Sequence, residues 1–163
     1  MLEQAFESTL KFHLDAKPNG QSLSLKCISI LTASNILRLN AIIPYKNNMP
    51  LVTMGIMDAG CNKKVAVDAI LDFASTMTII PTYIANEMNL AFAGSDETAT
   101  GAGIIDIPYY EVSIEVFERT HDNVHVGCLD LPERTPAKAL LGRNILDNYK
   151  ICLDGKRKQI EVC

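Results

Sequence analysis

Residues 69 to 81 read Ala69-Ile70-Leu71-Asp72-Phe73-Ala74-Ser75-Thr76-Met77-Thr78-Ile79-Ile80-Pro81. The apolar run from Val65 to Leu71 leads straight into a carboxylate, then into small and hydroxyl residues, a second apolar run from Met77 to Ile80, and a proline. A carboxylate at the end of a buried strand is costly unless it is paired or used. On the local residues alone, the plainer reading of Asp72 is a turn cap that accepts from the Ser75 or Thr76 amides.

Upstream of this stretch, Leu51 to Met57 reads as a strand and Asp58-Ala59-Gly60-Cys61-Asn62 as the turn that joins it to Val65 to Leu71. The polar, proline-closed segment Tyr45-Lys46-Asn47-Asn48-Met49-Pro50 marks an internal boundary. It divides a β-rich N-terminal extension, residues 1–48, from a more regular unit, residues 49–163. The extension alternates apolar and polar residues at Leu10 to Leu14, Leu23 to Ile30 and Ile36 to Ile42, and Lys17-Pro18-Asn19-Gly20 supplies hairpin chemistry between the first two.

Downstream, Pro81 followed by Tyr83, Ile84, Glu87 and Met88 at helical spacing predicts a short helix over Thr82 to Asn89. The small residues Thr98-Ala99-Thr100-Gly101-Ala102-Gly103 lie between two expected strands. Further strands are expected at Ile104 to Ile107, Tyr110 to Phe117 and Val124 to Leu129, with Arg119 to Asn123 as a turn. Pro132 to Pro136 reads as a loop, Ala139 to Leu141 as a short buried strand, and Arg143 to Asn148 as a turn or two of helix. The chain closes in a hairpin, with arms Tyr149 to Leu153 and Gln159 to Val162 around Asp154-Gly155-Lys156. Many short strands with one or two brief helices predict an all-β, partly closed fold.

The 163 residues, 48% apolar and 21% charged, suit one globular core. A net charge of −4 disfavours nucleic acid and anionic membrane as partners. The start Met1-Leu2-Glu3-Gln4-Ala5-Phe6-Glu7 lacks a basic leader, and no apolar run approaches the ~18 residues a membrane span needs, so a cytoplasmic location is expected. Cys27, Cys61, Cys128, Cys152 and Cys163 are odd in number and never spaced as a metal knuckle; they read as reduced, mostly buried thiols. His121 and His125 would share one face of a helix, but their surroundings read as loop and offer no third metal ligand. Lys156-Arg157-Lys158 sits on a hairpin tip, and Asp96 and Glu97 read as surface charges.

The segment from Ala69 to Pro81 resembles the active-site strand of the retropepsin-like aspartic proteases, in which an apolar strand enters Asp-Thr/Ser-Gly and continues into an apolar run. The order of later elements also resembles that family: a short helix, a glycine-containing hairpin at Thr100-Gly101-Ala102-Gly103, then Leu140-Leu141-Gly142-Arg143-Asn144-Ile145-Leu146, and the final Asp-Gly hairpin. The resemblance implies a closed acid-protease barrel over residues 49–163, with Asp72 as the catalytic aspartate and Phe73, Ala74, Ser75 and Thr76 as its loop. It further implies that Thr100, Gly101, Ala102 and Gly103 form a flap, and that Leu141, Gly142, Arg143 and Asn144 support the site. No second Asp-Thr/Ser-Gly string occurs, so the site implied is shared by a homodimer acting on a peptide or protein substrate, with no cofactor or metal required.

The triplet itself departs from the family, reading Asp72-Phe73-Ala74. Phe73 lacks the hydroxyl that bonds across the dimer, a loss of about 0.5–1.5 kcal/mol per bond, and its ring must fit where a small side chain sat. Three outcomes are open. The chain is a working protease with Phe73 packed at the interface, a silent peptide-binding or dimerisation module, or a protease in which Ser75 or Thr76 replaces the lost hydroxyl. Arg143 resembles the family's buried arginine, but Thr76 stands where its acidic partner would be.

Overall fold

The computed structural model describes residues 41–100 and 103–163. Its elements, in chain order, are β1 (Ala41–Pro44), β2 (Leu51–Met57), β3 (Lys64–Leu71), β4 (Thr78–Ile80), α1 (Thr82–Met88), β5 (Phe92–Thr100), β6 (Gly103–Val116), β7 (Arg119–Cys128), β8 (Ala139–Leu141), α2 (Arg143–Leu146), β9 (Ile151–Asp154) and β10 (Gln159–Val162). The main sheet runs β2-β3-β8-β4-β7-β6-β5, and an added β2–β6 pairing closes its first six strands into a barrel. The architecture is all-β, as expected from the sequence.

Period-two patterning explains the barrel wall. In β3, Val67, Ala69 and Leu71 are buried while Lys64, Ala66 and Asp68 turn outward. The turn into β3 is held by Asp58, whose Oδ1 accepts from the Lys63 amide at 3.0 Å; that bond lowers its pKa. Helix α1 starts after Pro81, and Asp130 bonds both the amide and hydroxyl of Thr82; it stops at Asn89, which takes the left-handed conformation at φ 51°. Met54, Ile56, Ile80, Ile84, Ile114 and Leu141 are fully buried in the core.

The closing hairpin forms as expected, with β9 and β10 paired antiparallel. β1 joins it on the other side of β10, pairing Ala41 with Val162 and Ile43 with Ile160. This three-stranded sheet packs Ile160 and Val162 into the core. The strands expected at Leu10 to Leu14 and Leu23 to Ile30 lie outside the described residues, as does most of Ile36 to Ile42.

Two expectations along the long hairpin are corrected. The two strands expected at Ile104 to Ile107 and Tyr110 to Phe117 merge into one, β6, which runs through Pro108 and ends at Val116. Proline is tolerated there because β6 has β5 on one side and pairs with β7 only from Tyr109 onward. Arg119 to Asn123 is strand, not turn; the chain reverses at Phe117 and Glu118, at φ 51° and 59°. A bulge then breaks the alternation, because Val112 pairs with Val124 but Ile114 pairs with His121, leaving Asp122 and Asn123 opposite Ser113. Asn123 adopts φ 56°, and Ser113 Oγ donates to Asp122 Oδ1 at 2.8 Å. The bulge separates the two histidines. His121 turns inward and bonds the Tyr149 hydroxyl at 2.6 Å, while His125 faces solvent near Glu111.

Cys128 is buried, whereas Cys152 and Cys163 are exposed and Cys61 is disulfide-bonded. Among these four, the expectation of reduced thiols holds at Cys128, Cys152 and Cys163 and fails at Cys61, while that of burial holds among the free thiols at Cys128 alone. Cys152 is outward because it pairs with Glu161, on the face opposite the buried Ile160 and Val162. Among the described residues, no helix is long and apolar enough to cross a membrane.

Candidate active site

Asp72 stands where β3 ends, and its position follows from the neighbouring strand. β3 and β8 run parallel, pairing Leu71 with Leu141, and the Asp72 amide extends this ladder by donating to the Leu141 carbonyl at 2.9 Å. The chain then turns over the end of β8 and returns as β4, which pairs Ile79 with Leu140 on the other side. The loop 72–77 thus bridges two strands that share β8 as their neighbour.

Inside that loop the carboxylate organises its own backbone. Asp72 Oδ1 accepts from the Ala74 amide at 3.0 Å and the Ser75 amide at 3.2 Å. The capping geometry read from the local residues is therefore present, with Ala74 as a second donor. Asp72 is half-exposed, and its Oδ2 has no hydrogen-bond partner among the described residues. Ser75 Oγ donates inward to the Met77 carbonyl at 2.6 Å.

A second layer clasps the loop to the segment after β8. The Arg143 amide donates to the Ser75 carbonyl at 2.9 Å, and the Asn144 amide to the Thr76 carbonyl at 3.2 Å. Thr78, fully buried, receives the Gly142 amide on Oγ1 at 3.1 Å and donates its amide and hydroxyl to Asn144 Oδ1 at 2.9 and 2.8 Å. Asn144 Nδ2 completes the set by donating to the His125 carbonyl at 3.0 Å. Only glycine fits at position 142, since a Cβ there would lie 2.4 Å from Met77 C and O. Leu141, Gly142 and Asn144 thus all meet the Asp72 loop.

Arg143 meets the loop only through its backbone. Its side chain is exposed and forms no ion pair among the described residues. Phe73 and Thr76 also point to solvent, Phe73 at 47% exposure.

The β5–β6 hairpin narrows to the pair Thr100 and Gly103, where Thr100 Oγ1 donates to the Gly103 carbonyl at 2.8 Å. Gly103 has φ 118°, which favours glycine, and its surroundings are open. Gly101 and Ala102 lie outside the described residues. At the base of this hairpin Ile107 approaches Ile79 and Met77 over Gly127, where a Cβ would come within 2.7 Å of Ile79 Cδ1 and 3.0 Å of Ile107 Cγ2. Sequence reasoning missed Thr78, Gly127 and Ile107. A glycine inside an apolar strand, as at Gly127, was the available signal for a close approach.

No protein-family model and no curated protein sequence matches the chain. Solved structures do match. The EIAV protease complexed with the inhibitor HBY-793 aligns with a TM-score of 0.50 at 17% identity, over 65% of this chain and 93% of that one. A retropepsin-like aspartic protease from Rickettsia conorii aligns with a TM-score of 0.52 at 13% identity, over 76% of this chain and 89% of that one. The closed barrel and these alignments therefore show that the chain has a retropepsin-like fold.

Proposed function

We propose that the chain is an aspartic endopeptidase of the retropepsin type, hydrolysing peptide bonds with a water held between the Asp72 carboxylates of two copies. The observation that supports this reading is the setting of Asp72, fixed through Oδ1 by the Ala74 and Ser75 amides and open at Oδ2. Such a carboxylate is held in place while one oxygen remains able to take a proton from water or pass one to a leaving amine. Two of them face to face hold one proton between them, so one acts as base and the other as acid. The β5–β6 hairpin, which narrows to Thr100 and Gly103, serves as a flap that lays its backbone over an extended peptide.

A second reading is favoured by Phe73 and Ala74, which replace the family's hydroxyl and glycine. In it the fold and groove are kept as a catalytically silent peptide-binding or dimerisation module.

Asp72→Asn separates the two, because its amide oxygen still accepts from both loop amides and leaves the fold intact. Both proteins are screened against a peptide library from acidic to neutral pH. The protease reading expects turnover that falls by about a thousandfold in the variant; equal turnover in both refutes it, and none in either supports the silent module. In the companion variant, Phe73→Thr with Ala74→Gly, a gain in rate measures how far the altered triplet slows the reaction.

A further inference from the structure

From Val65 to Glu118 the sequence holds nine carboxylates and no Lys, Arg or His; all fifteen Lys and Arg residues lie elsewhere in a chain of net charge −4. This stretch supplies the Asp72 loop and both strands of the β5–β6 hairpin. One sign of charge over so long a segment makes a field that acts on any charged ligand of the site.

The strand register shows where that field is delivered. Residues directly opposed on paired strands share a face, as do alternate residues along one strand. Asp96 pairs with Ile107, Thr98 with Ile105 and Thr100 with Gly103, so one face of the hairpin carries all of them. Ile107 is buried, and its side chain converges over Gly127 with those of Ile79 and of Met77, the last residue of the Asp72 loop. The face that bears Asp96 is therefore the one turned toward that loop. Among the described residues the Asp96 carboxylate has no ion pair. On the opposite face Glu97 stands across from Asp106, a like-charge pair that no cation of the hairpin offsets. Arg143, beside the loop on α2, forms no ion pair with any of them.

Resting on the peptide-cleaving site proposed above, we infer that its substrates are cationic peptides and that Asp96 is the residue that selects them. A Lys or Arg side chain of the peptide lays its apolar stem along Ile105 and Ile107 and brings its charged head to the Asp96 carboxylate. An acidic peptide meets the same field as repulsion, so the preference comes from exclusion as well as attraction.

The test uses the full chain carrying Asp72→Asn, so that nothing is cleaved while binding is measured. Fluorescein-labelled octapeptides of alternating Ala and Leu, each with one Lys, Gln or Glu at a stepped position, are titrated by anisotropy at low salt. At one position or two, the Lys peptide is expected to bind about fivefold more tightly than the Gln peptide and the Glu peptide more weakly than either, a spread that shrinks in about 0.5 M salt. Asp96→Asn, checked by circular dichroism, is expected to bring the Lys and Gln peptides within about twofold of each other. Glu118→Gln removes the same charge just beyond the far end of β6 and is expected to leave the spread in place. Lys and Gln peptides bound alike by the parent, a spread moved equally by both variants, or a parent that binds none of the peptides overturns the inference. The protease reading is judged separately, by turnover of the wild-type chain against Asp72→Asn. Asp72-dependent cleavage with no charge preference keeps that reading and discards this one; charge-selective binding without cleavage does the reverse.

Discussion

Gly142→Ala is the sharpest probe of the clasp that holds the Asp72 loop. Gly142 has φ −91° and ψ 177°, a conformation open to alanine, so any penalty comes from contact and not from the backbone angle. The added Cβ would lie 2.4 Å from both C and O of Met77 and 2.7 Å from N of Thr78. All three are main-chain atoms, so no side-chain rotation relieves them, and the segment must back away from Met77 by about 1 Å to reach normal contact. That shift stretches the Gly142 amide to Thr78 Oγ1, the Arg143 amide to the Ser75 carbonyl and the Asn144 amide to the Thr76 carbonyl, now 3.1, 2.9 and 3.2 Å. Losing two or three such bonds costs about 0.5–1.5 kcal/mol each, and overpacking adds about 1–3 kcal/mol. The smaller entropy of an unfolded alanine chain returns about 0.4–1 kcal/mol. A net loss of about 3–5 kcal/mol is expected, read as a lower urea midpoint at unchanged slope. Gly155→Ala is the control, since nothing lies within 4 Å of its Cβ position. A Gly142→Ala protein within about 1 kcal/mol of wild type, or indistinguishable from the control, refutes the clasp.

Two further outcomes follow from buried groups. Burial, reinforced by Arg119 and opposed by Asp122, lowers the His121 pKa below its ordinary value. The unfolded chain then binds a proton near pH 6.5 that the folded chain resists, so stability falls as pH drops from 7 towards 5. Urea midpoints across that range are expected to show this slope, and His121→Gln to flatten it; an unchanged slope removes His121 as the cause. The Cys128 thiol is pushed up to about 11, chiefly by burial and secondarily by Asp130. Iodoacetamide at pH 8 is expected to modify Cys152 and Cys163 in the native protein and Cys128 only after unfolding, read by peptide mass mapping; rapid native labelling of Cys128 contradicts its burial.

The barrel strands and the closing hairpin were legible because their punctuation is local. Asp-Gly at 154–155 and Pro81 before α1 act on their own neighbours, and alternation at Val67, Ala69 and Leu71 names the inward face directly. The β7 bulge was not legible. Its cause is the register against Ser113 and the left-handed Asn123, and from sequence the polar run of Arg119 to Asn123 has the chemistry of a turn. Asp72 was conspicuous by position. What surrounds it was only partly so, since Gly142 and Asn144 stood in a recognisable string while Thr78, their partner, lay in an ordinary apolar run. Arg143 shows the converse: it sits in the right string, but its guanidinium is turned to solvent.

The clasp has a consequence for how the chain is made. Thr78 and Asn144 are 66 residues apart, and Leu71 pairs in parallel with Leu141, so the outer support of the loop is non-local. A chain emerging from the ribosome carries Asp72 early but acquires its support only after residue 144 has cleared the exit tunnel. The carboxylate therefore lacks these outer restraints while the 72 residues from Phe73 to Asn144 are being made. Truncation just before Ala139 would leave every residue of the Asp72 loop in the sequence and none of its outer restraints.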